Sequence, residues 1–184
     1  MKTALGIDPD VHKCAFAYLT GDGGGLYGLQ VQVIRQDDLK GRDAAIALIQ
    51  KQAFKEAVEL WQPDILTVEG QDVRYTGKTS YANPQDVANL SLISGAALAL
   101  SYAPKKYCPL PREWKGTVPK WIKQCRILDS LGIQYEMRGG KDPYPVPVDF
   151  EQYCVGKVNA SDWQDLTDAV GLAAWGLNKG KAKK

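Results

Sequence analysis

Thr3-Ala4-Leu5-Gly6-Ile7-Asp8-Pro9 is a short apolar run that ends in an acid and is stopped by a proline. A run of this length with a turn signal behind it reads as a buried strand. A carboxylate at its end is costly to take out of water unless a cation pairs with it. Ile65-Leu66-Thr67-Val68 ends the same way, in Glu69, and Asp165 and Asp168 lie in a late helical pattern, three apart and so on one face. Taken singly, these acids have ordinary explanations: Asp8 before Pro9 can open a turn, and Asp165 and Asp168 favour the dipole of a helix start. Glu69 before Gly70 at a strand end is harder to dismiss. Three elements far apart in sequence each deliver acid at an element end, and a divalent cation would pair with all four side chains.

Outward from this run, residues 3–8 and 14–20 read as two strands joined at Pro9-Asp10. Gly21-Asp22-Gly23-Gly24-Gly25 is a loop before a third strand at 26–34, where Leu29, Val31 and Val33 alternate with polar residues. Residues 43–61 carry Ile46, Ile49, Ala53, Val58 and Leu60 near helical spacing, closed by Pro63, and a fourth strand follows at 64–68. Asn83-Pro84 is an N-cap with proline at the first helical position. That helix runs through Leu90, Ile93, Ala97 and Leu100 to about residue 102, and its small residues Gly95, Ala96, Ala97 and Ala99 permit close approach of a neighbour. Residues 107–110 read as a fifth strand, 119–131 as a short basic helix stopped by Gly132, and 139–147 as a loop rich in glycine and proline. A last helix starts after Ser161 as N-cap, with Leu166, Ala169, Val170, Ala173 and Leu177 on one face. This order predicts an α/β fold: a mixed five-stranded sheet, three antiparallel strands then parallel strands, flanked by helices. One domain is expected over residues 1–178, with 179–184 a disordered basic tail.

The chain of 184 residues is 45% hydrophobic, enough for one core. A net charge of +2 does not by itself argue for a nucleic-acid partner. Its distribution says more: Lys105, Lys106, Arg112, Lys115, Lys120, Lys123 and Arg126 face Glu113 as the one acid of that stretch, and the tail adds further lysines. Cys14, Cys108, Cys125 and Cys154 show no CxxC spacing, which argues against a zinc site and a disulfide framework. No apolar run approaches the roughly 18 residues of a membrane span, and the N-terminus enters a strand directly rather than a signal sequence. A cytoplasmic protein, of a bacterium or a phage-infected cell, is the expectation.

Leu5-Gly6-Ile7-Asp8-Pro9, Val68-Glu69-Gly70-Gln71, the Ser94-Gly95-Ala96-Ala97 helix and Asp165-Leu166-Thr167-Asp168-Ala169-Val170, in that order, resemble the RuvC-type Holliday junction resolvases of the ribonuclease H-like superfamily. The resemblance spans nearly the whole chain and looks like the compact phage versions. It implies a ribonuclease H-like fold and a crossover junction endodeoxyribonuclease. Asp8, Glu69, Asp165 and Asp168 would be ligands of Mg²⁺, two ions per site, for which Mn²⁺ would substitute. Asp162 is a rival ligand if the last helix begins elsewhere. Lys115 and Lys120, in Trp114-Lys115-Gly116-Thr117-Val118-Pro119-Lys120, resemble lysines that such resolvases place near the scissile phosphate; their spacing is shorter than in the bacterial form, so Lys115 is the better match.

The same resemblance implies branched DNA, four-way junctions above all, as partner, and a homodimer built by the helix at 83–102. Such resolvases insert an aromatic after the Glu strand to hold the junction open, which makes Tyr75 and Tyr81 candidates for stacking on bases. Arg74 and Lys78 beside them, and Lys123 on the basic helix, are candidates for phosphate. Trp114 and Trp121 are either nucleic-acid contacts or buried anchors of that helix. Two rival classes remain. A structure-selective DNA-binding protein without cleavage would not need four acids in place, and an actin-like ATPase, suggested by Gly6-Ile7-Asp8, would need a second ribonuclease H-like half.

Overall fold

A computed structural model describes residues 1–22, 25–59, 61–71, 75–76, 79–80 and 83–179. The chain begins with β1 (Lys2–Pro9), β2 (Lys13–Asp22) and β3 (Gly25–Arg35), then α1 (Gly41–Gln50), α2 (Gln52–Glu59) and β4 (Ile65–Val68). A two-stranded ribbon, β5 (Tyr75–Thr76) and β6 (Thr79–Ser80), precedes α3 (Pro84–Leu100) and β7 (Lys105–Tyr107). The remainder is α4 (Pro111–Trp114), α5 (Lys120–Ser130), a second ribbon of β8 (Tyr135–Arg138) and β9 (Tyr144–Pro147), and α6 (Trp163–Lys179). The central sheet has the order β3-β2-β1-β4-β7. Its first three strands are antiparallel, whereas β4 and β7 run parallel to β1. This is the mixed five-stranded arrangement that the sequence predicts. No described helix is long and apolar enough to cross a membrane.

The period of two along each strand decides which side chains meet which layer. On one face of the sheet, Leu5, Ile7, Phe16, Leu66 and Val68 pack with Leu48, Phe54, Val58, Ile93 and Ala97 of α1, α2 and α3. On the other, Ala4, Ala15, Ala17, Leu19, Val31 and Ile65 pack with Leu166, Ala169, Val170 and Ala173 of α6, with Trp114 and Leu128 beside them. Gly6 lies between Ala4 and Asp8 on the α6 face, and a Cβ there would sit 2.0 Å from the Ala169 carbonyl oxygen and 2.6 Å from the Ala173 nitrogen. Gly176 makes the matching approach to β4, where a Cβ would lie 2.3 Å from Thr67 Oγ1. Helix α6 therefore rests directly on the backbones of β1 and β4, and its first turns are carried to the end of β1 where Asp8 stands.

Several local expectations are corrected. The pattern read as one helix over 43–61 is two helices, because Lys51 turns to an extended ψ of 134° and its N–H returns to the Leu48 carbonyl. The bend swings Phe54 under the sheet, edge-on to Phe16 at 5.6 Å between ring centroids. The fifth strand lies at Lys105–Tyr107, earlier than the expected 107–110. Its exposed lysines suit a sheet edge, where charge discourages further strand pairing. Residues 144–147 are strand rather than loop and pair with 135–138. Prolines are tolerated there because a two-stranded ribbon consists of edges, and the missing N–H can face outward. Ser161 is not the last cap: a 3₁₀ turn, Ala160–Asp162, precedes α6, with the Asp162 carboxylate accepting from the Asn159 N–H at 2.9 Å. The expected tail from residue 180 onward lies outside the described residues.

Gly6→Ala tests the close approach. Its methyl would collide with helix backbone, which cannot rotate away, so unfolding in urea should show a loss of at least about 2 kcal/mol, the upper part of the range for overpacked sites. A midpoint equal to wild type would contradict the placement of α6 on β1.

Candidate active site

Strand alternation and register bring the first two acids together. Gly6 pairs with Thr67 and Ile7 with Val68 in the parallel ladder, so Asp8 and Glu69 leave the sheet at one level on the α6 face. The Glu69 N–H continues the ladder by donating to the Ile7 carbonyl at 3.0 Å. Gly70 then lets residues 108–109 pass close by, since a Cβ at this position would lie 3.0 Å from the Cys108 carbonyl oxygen. Its N–H donates to the Pro109 carbonyl at 2.8 Å. That crossing carries α4, with Trp114 and Lys115, over Glu69. The Glu113 carboxylate fixes the start of α4 by accepting from the Leu110 N–H at 2.6 Å.

Lys115 is the centre of the resulting cluster. Its Nζ lies 2.8 Å from Glu69 Oε1 and 2.9 Å from Asp168 Oδ2. Burial works against its charge, but the carboxylates of Asp168, Glu69 and Asp8 outweigh that and raise its pKa, keeping the ammonium form. Lys120 adds a second ammonium at 3.2 Å from the same Asp168 oxygen and 4.0 Å from Asp165 Oδ1. Buried groups hold the acids from behind. Trp114 Nε1 donates to Glu69 Oε1 at 3.1 Å, Ser94 Oγ to the Glu69 carbonyl at 3.2 Å, and Gln124 Nε2 to Asp168 Oδ1 at 3.1 Å. Asp8 keeps part of its surface exposed, yet burial, followed by the negative charge of Asp168 and Glu69, pushes its carboxyl well above the usual carboxylate range; Lys115 opposes the shift.

Asp8, Glu69, Asp168, Lys115 and Lys120 thus come together. Asp165 lies at the margin, one turn earlier on α6, where Lys13 Nζ holds its Oδ2 at 2.6 Å. Asp162 is buried and engaged elsewhere, by the Arg35 guanidinium and by Lys13 at 3.8 Å. Lys123 is half-buried on α5, and Trp114 is a buried anchor at 4% exposure, whereas Trp121 is 42% exposed. Arg74, Lys78 and Tyr81 lie outside the described residues, as does the side chain of Tyr75.

Lys13, Arg35 and Gln124 were not singled out by the sequence. Lys13 and Arg35 stand directly opposite each other on β2 and β3, on the α6 face. Like charges in that position repel, so acids between them are required, and Asp162 and Asp165 supply them. The signal was present in principle, but only once the strand register is known. Gln124 carried none, since a glutamine in a basic helix is ordinarily solvated.

Carboxylate oxygens are the donors that hard divalent cations such as Mg²⁺ and Mn²⁺ take, and Asp8, Glu69 and Asp168 offer such a set with mutual repulsion to relieve. The donor chemistry therefore fits these ions. Among the described residues, however, no three His, Cys, Asp or Glu side chains close to metal-binding spacing.

Asp162 ties the entry of α6 to β2 and β3, and its titration reports on that tie. Burial alone would raise its carboxyl, but the Arg35 guanidinium, the Asn159 N–H and Lys13 outweigh it and hold the pKa below the usual range. A depressed carboxyl stabilises the fold above its unfolded value, near 4, and the contribution is lost as pH falls through the folded value. Asp162→Asn should cost about 1–3 kcal/mol at pH 7, with the gap to wild type closing as pH falls toward 3. A gap that is constant with pH would contradict the ion pair.

No family model matches the chain, and no curated protein matches it in sequence. Solved structures do match. Thermus thermophilus RuvC in complex with a Holliday junction substrate superposes with a TM-score of 0.59 at 16% identity, over 93% of this chain and 90% of that one. A second Thermus thermophilus RuvC structure gives 0.58 at 16% identity, over 97% and 96%. The yeast mitochondrial Holliday junction resolvase Ydc2 gives 0.51 at 14% identity, over 95% of this chain and 76% of that one. What these chains share at such identities is the path of the backbone. The chain has the fold of these RuvC-type Holliday junction resolvases.

Proposed function

We propose that this chain is a Mg²⁺-dependent endonuclease that cuts four-way or otherwise branched DNA by phosphodiester hydrolysis, with one nuclease domain over residues 1–178. The observation that carries the reading is the gathering of Asp8, Glu69 and Asp168 around the Lys115 ammonium, in a fold shared with Holliday junction resolvases. Fold alone does not fix function, so the reading leans on the carboxylate and lysine cluster that this chain itself carries.

In this reading Asp8, Glu69 and Asp168 hold the cations, and Asp165 joins them if Lys13 releases it. Two divalent ions held there would supply activation of a water and stabilisation of the leaving oxygen. Lys115 and Lys120 move from the carboxylates to the non-bridging oxygens of the scissile phosphate and stabilise the charge that develops there. Trp114, Ser94 and Gln124 keep the acids oriented meanwhile. Arg74, Tyr75, Lys78 and Tyr81 would meet the junction from the segment after Glu69, and Lys123 would meet phosphate from α5. The protein would act in the cytoplasm of a bacterium or phage-infected cell.

The assembly in this reading is a homodimer, since a two-fold dimer matches a two-fold junction and lets each copy nick one of two opposed strands. Helix α3 supports it: Ala88, Leu92, Gly95 and Ala99 form an exposed stripe opposite the buried Asn89, Ile93 and Ala97. A Cβ at Gly95 would meet nothing within 4 Å, so a second helix could lie close.

A rival reading, a branched-DNA-binding protein that does not cut, is favoured by one observation, the ammonium of Lys115 already neutralising Glu69 and Asp168. Cleavage separates the two. A labelled four-way junction should be nicked with Mg²⁺ and not with chelator, faster than a fork, and a linear duplex should survive. Asp8→Asn should lower the rate at least about 100-fold while junction binding persists. Equal cutting of linear duplex would refute junction selectivity, and an Asp8→Asn enzyme of wild-type rate would refute the site.

A further inference from the structure

Trp121 and the β8–β9 ribbon have no part in the site described above. Trp121 is 42% exposed, while Trp114 and Trp163 are buried at 4% and 0%. Trp121, Cys125 and Asp129 are spaced four apart and share one flank of α5. That flank faces β8: Cys125 Sγ lies 3.6 Å from Met137 Sδ, and the Tyr135 side chain lies beside Cys125 and Asp129. Only residues 131–134 separate α5 from β8, so the strand runs back along the helix, with Tyr135 near Asp129 and Met137 near Cys125.

The residues that follow, Arg138, Gly139, Gly140 and Lys141, continue in the direction of Trp121, and all four are exposed. Their turn is tight: Gly139 has φ +84°, and a Cβ there would sit 2.7 Å from the Asp142 carbonyl oxygen. Lys120, next to Trp121, reaches Asp168 at 3.2 Å, which makes this surface continuous with the carboxylate cluster. An exposed indole thus sits next to Lys120 on the flank of α5 along which β8 runs, and the end of that ribbon carries the exposed Arg138 and Lys141. Glu136, 3.9 Å from Arg138, and Asp142 are the acids nearby.

A flat aromatic face beside a cation fits a ligand that carries both an aromatic plane and negative charge. We propose that this surface binds the DNA strand beside the reacting phosphate, with Trp121 stacked on an unpaired base and Arg138 and Lys141 on flanking phosphates. The inference rests on the reading of the neighbouring cluster as a branched-DNA nuclease, and it adds the face of the protein that receives the strand.

The test uses the full chain with a labelled four-way junction and a single-stranded oligonucleotide, in chelator so that nothing is cut. Trp121→Ala should weaken binding of both by about 5- to 100-fold, the range of one base–aromatic stack, and Trp121→Phe should retain most of the affinity. Binding should quench tryptophan emission in wild type, and Trp121→Phe should lose that quench while remaining folded. Arg138→Ala with Lys141→Ala should flatten the dependence of log Kd on log salt by about 1 to 2. Wild-type affinity in Trp121→Ala, or an unchanged quench in Trp121→Phe, overturns the proposal and leaves the nuclease reading intact. A wild-type chain that binds neither DNA overturns both.

Discussion

Three carboxylates, those of Asp8, Glu69 and Asp168, are held at one end of the sheet under α6, and their mutual repulsion has to be met by positive charge. Much of the architecture serves that encounter. The parallel register of β1 and β4 sets Asp8 level with Glu69, and Gly6 allows α6 to descend far enough to bring Asp168 to them. Gly70 opens the crossing that lays Trp114 and Lys115 above. Burial, then the negative charge of Asp168 and Glu69, raises the Asp8 carboxyl, and the same negative charge raises Lys115 against the effect of its burial. In this structure the Lys115 and Lys120 ammoniums meet that concentrated negative charge.

A second layer of charge surrounds the first. Lys13 and Arg35 face Asp162 and Asp165 at the rim, tying the start of α6 to the antiparallel half of the sheet. Asp165 and Asp168 share a helix face yet have different surroundings, one paired with Lys13 at the margin and the other buried between two lysines and Gln124. Spacing on the helix alone made them equivalent. The strands beneath make them distinct.

The fold was largely legible because its main signals are local. Apolar runs ending in acids, alternation along residues 26–34, and Asn83-Pro84 at a helix start each stated their element in a few residues. What escaped depends on distant partners. The break at Lys51 has no glycine or proline to announce it and follows from the need to seat Phe54 against Phe16. Residues 144–147 looked like loop by composition and become strand through pairing with 135–138. Lys13, Arg35 and Gln124 gain meaning only when register and helix packing bring them to acids more than a hundred, or some forty, positions away.

The central claim is that these carboxylates are gathered to hold divalent cations. Its most direct measurement is anomalous diffraction from crystals of the protein soaked in Mn²⁺. The account predicts a manganese peak ligated by Asp8, Glu69 and Asp168, with the Lys115 ammonium displaced from Glu69 and Asp168. A map without manganese at these carboxylates, with Lys115 still bridging them at saturating Mn²⁺, would contradict it.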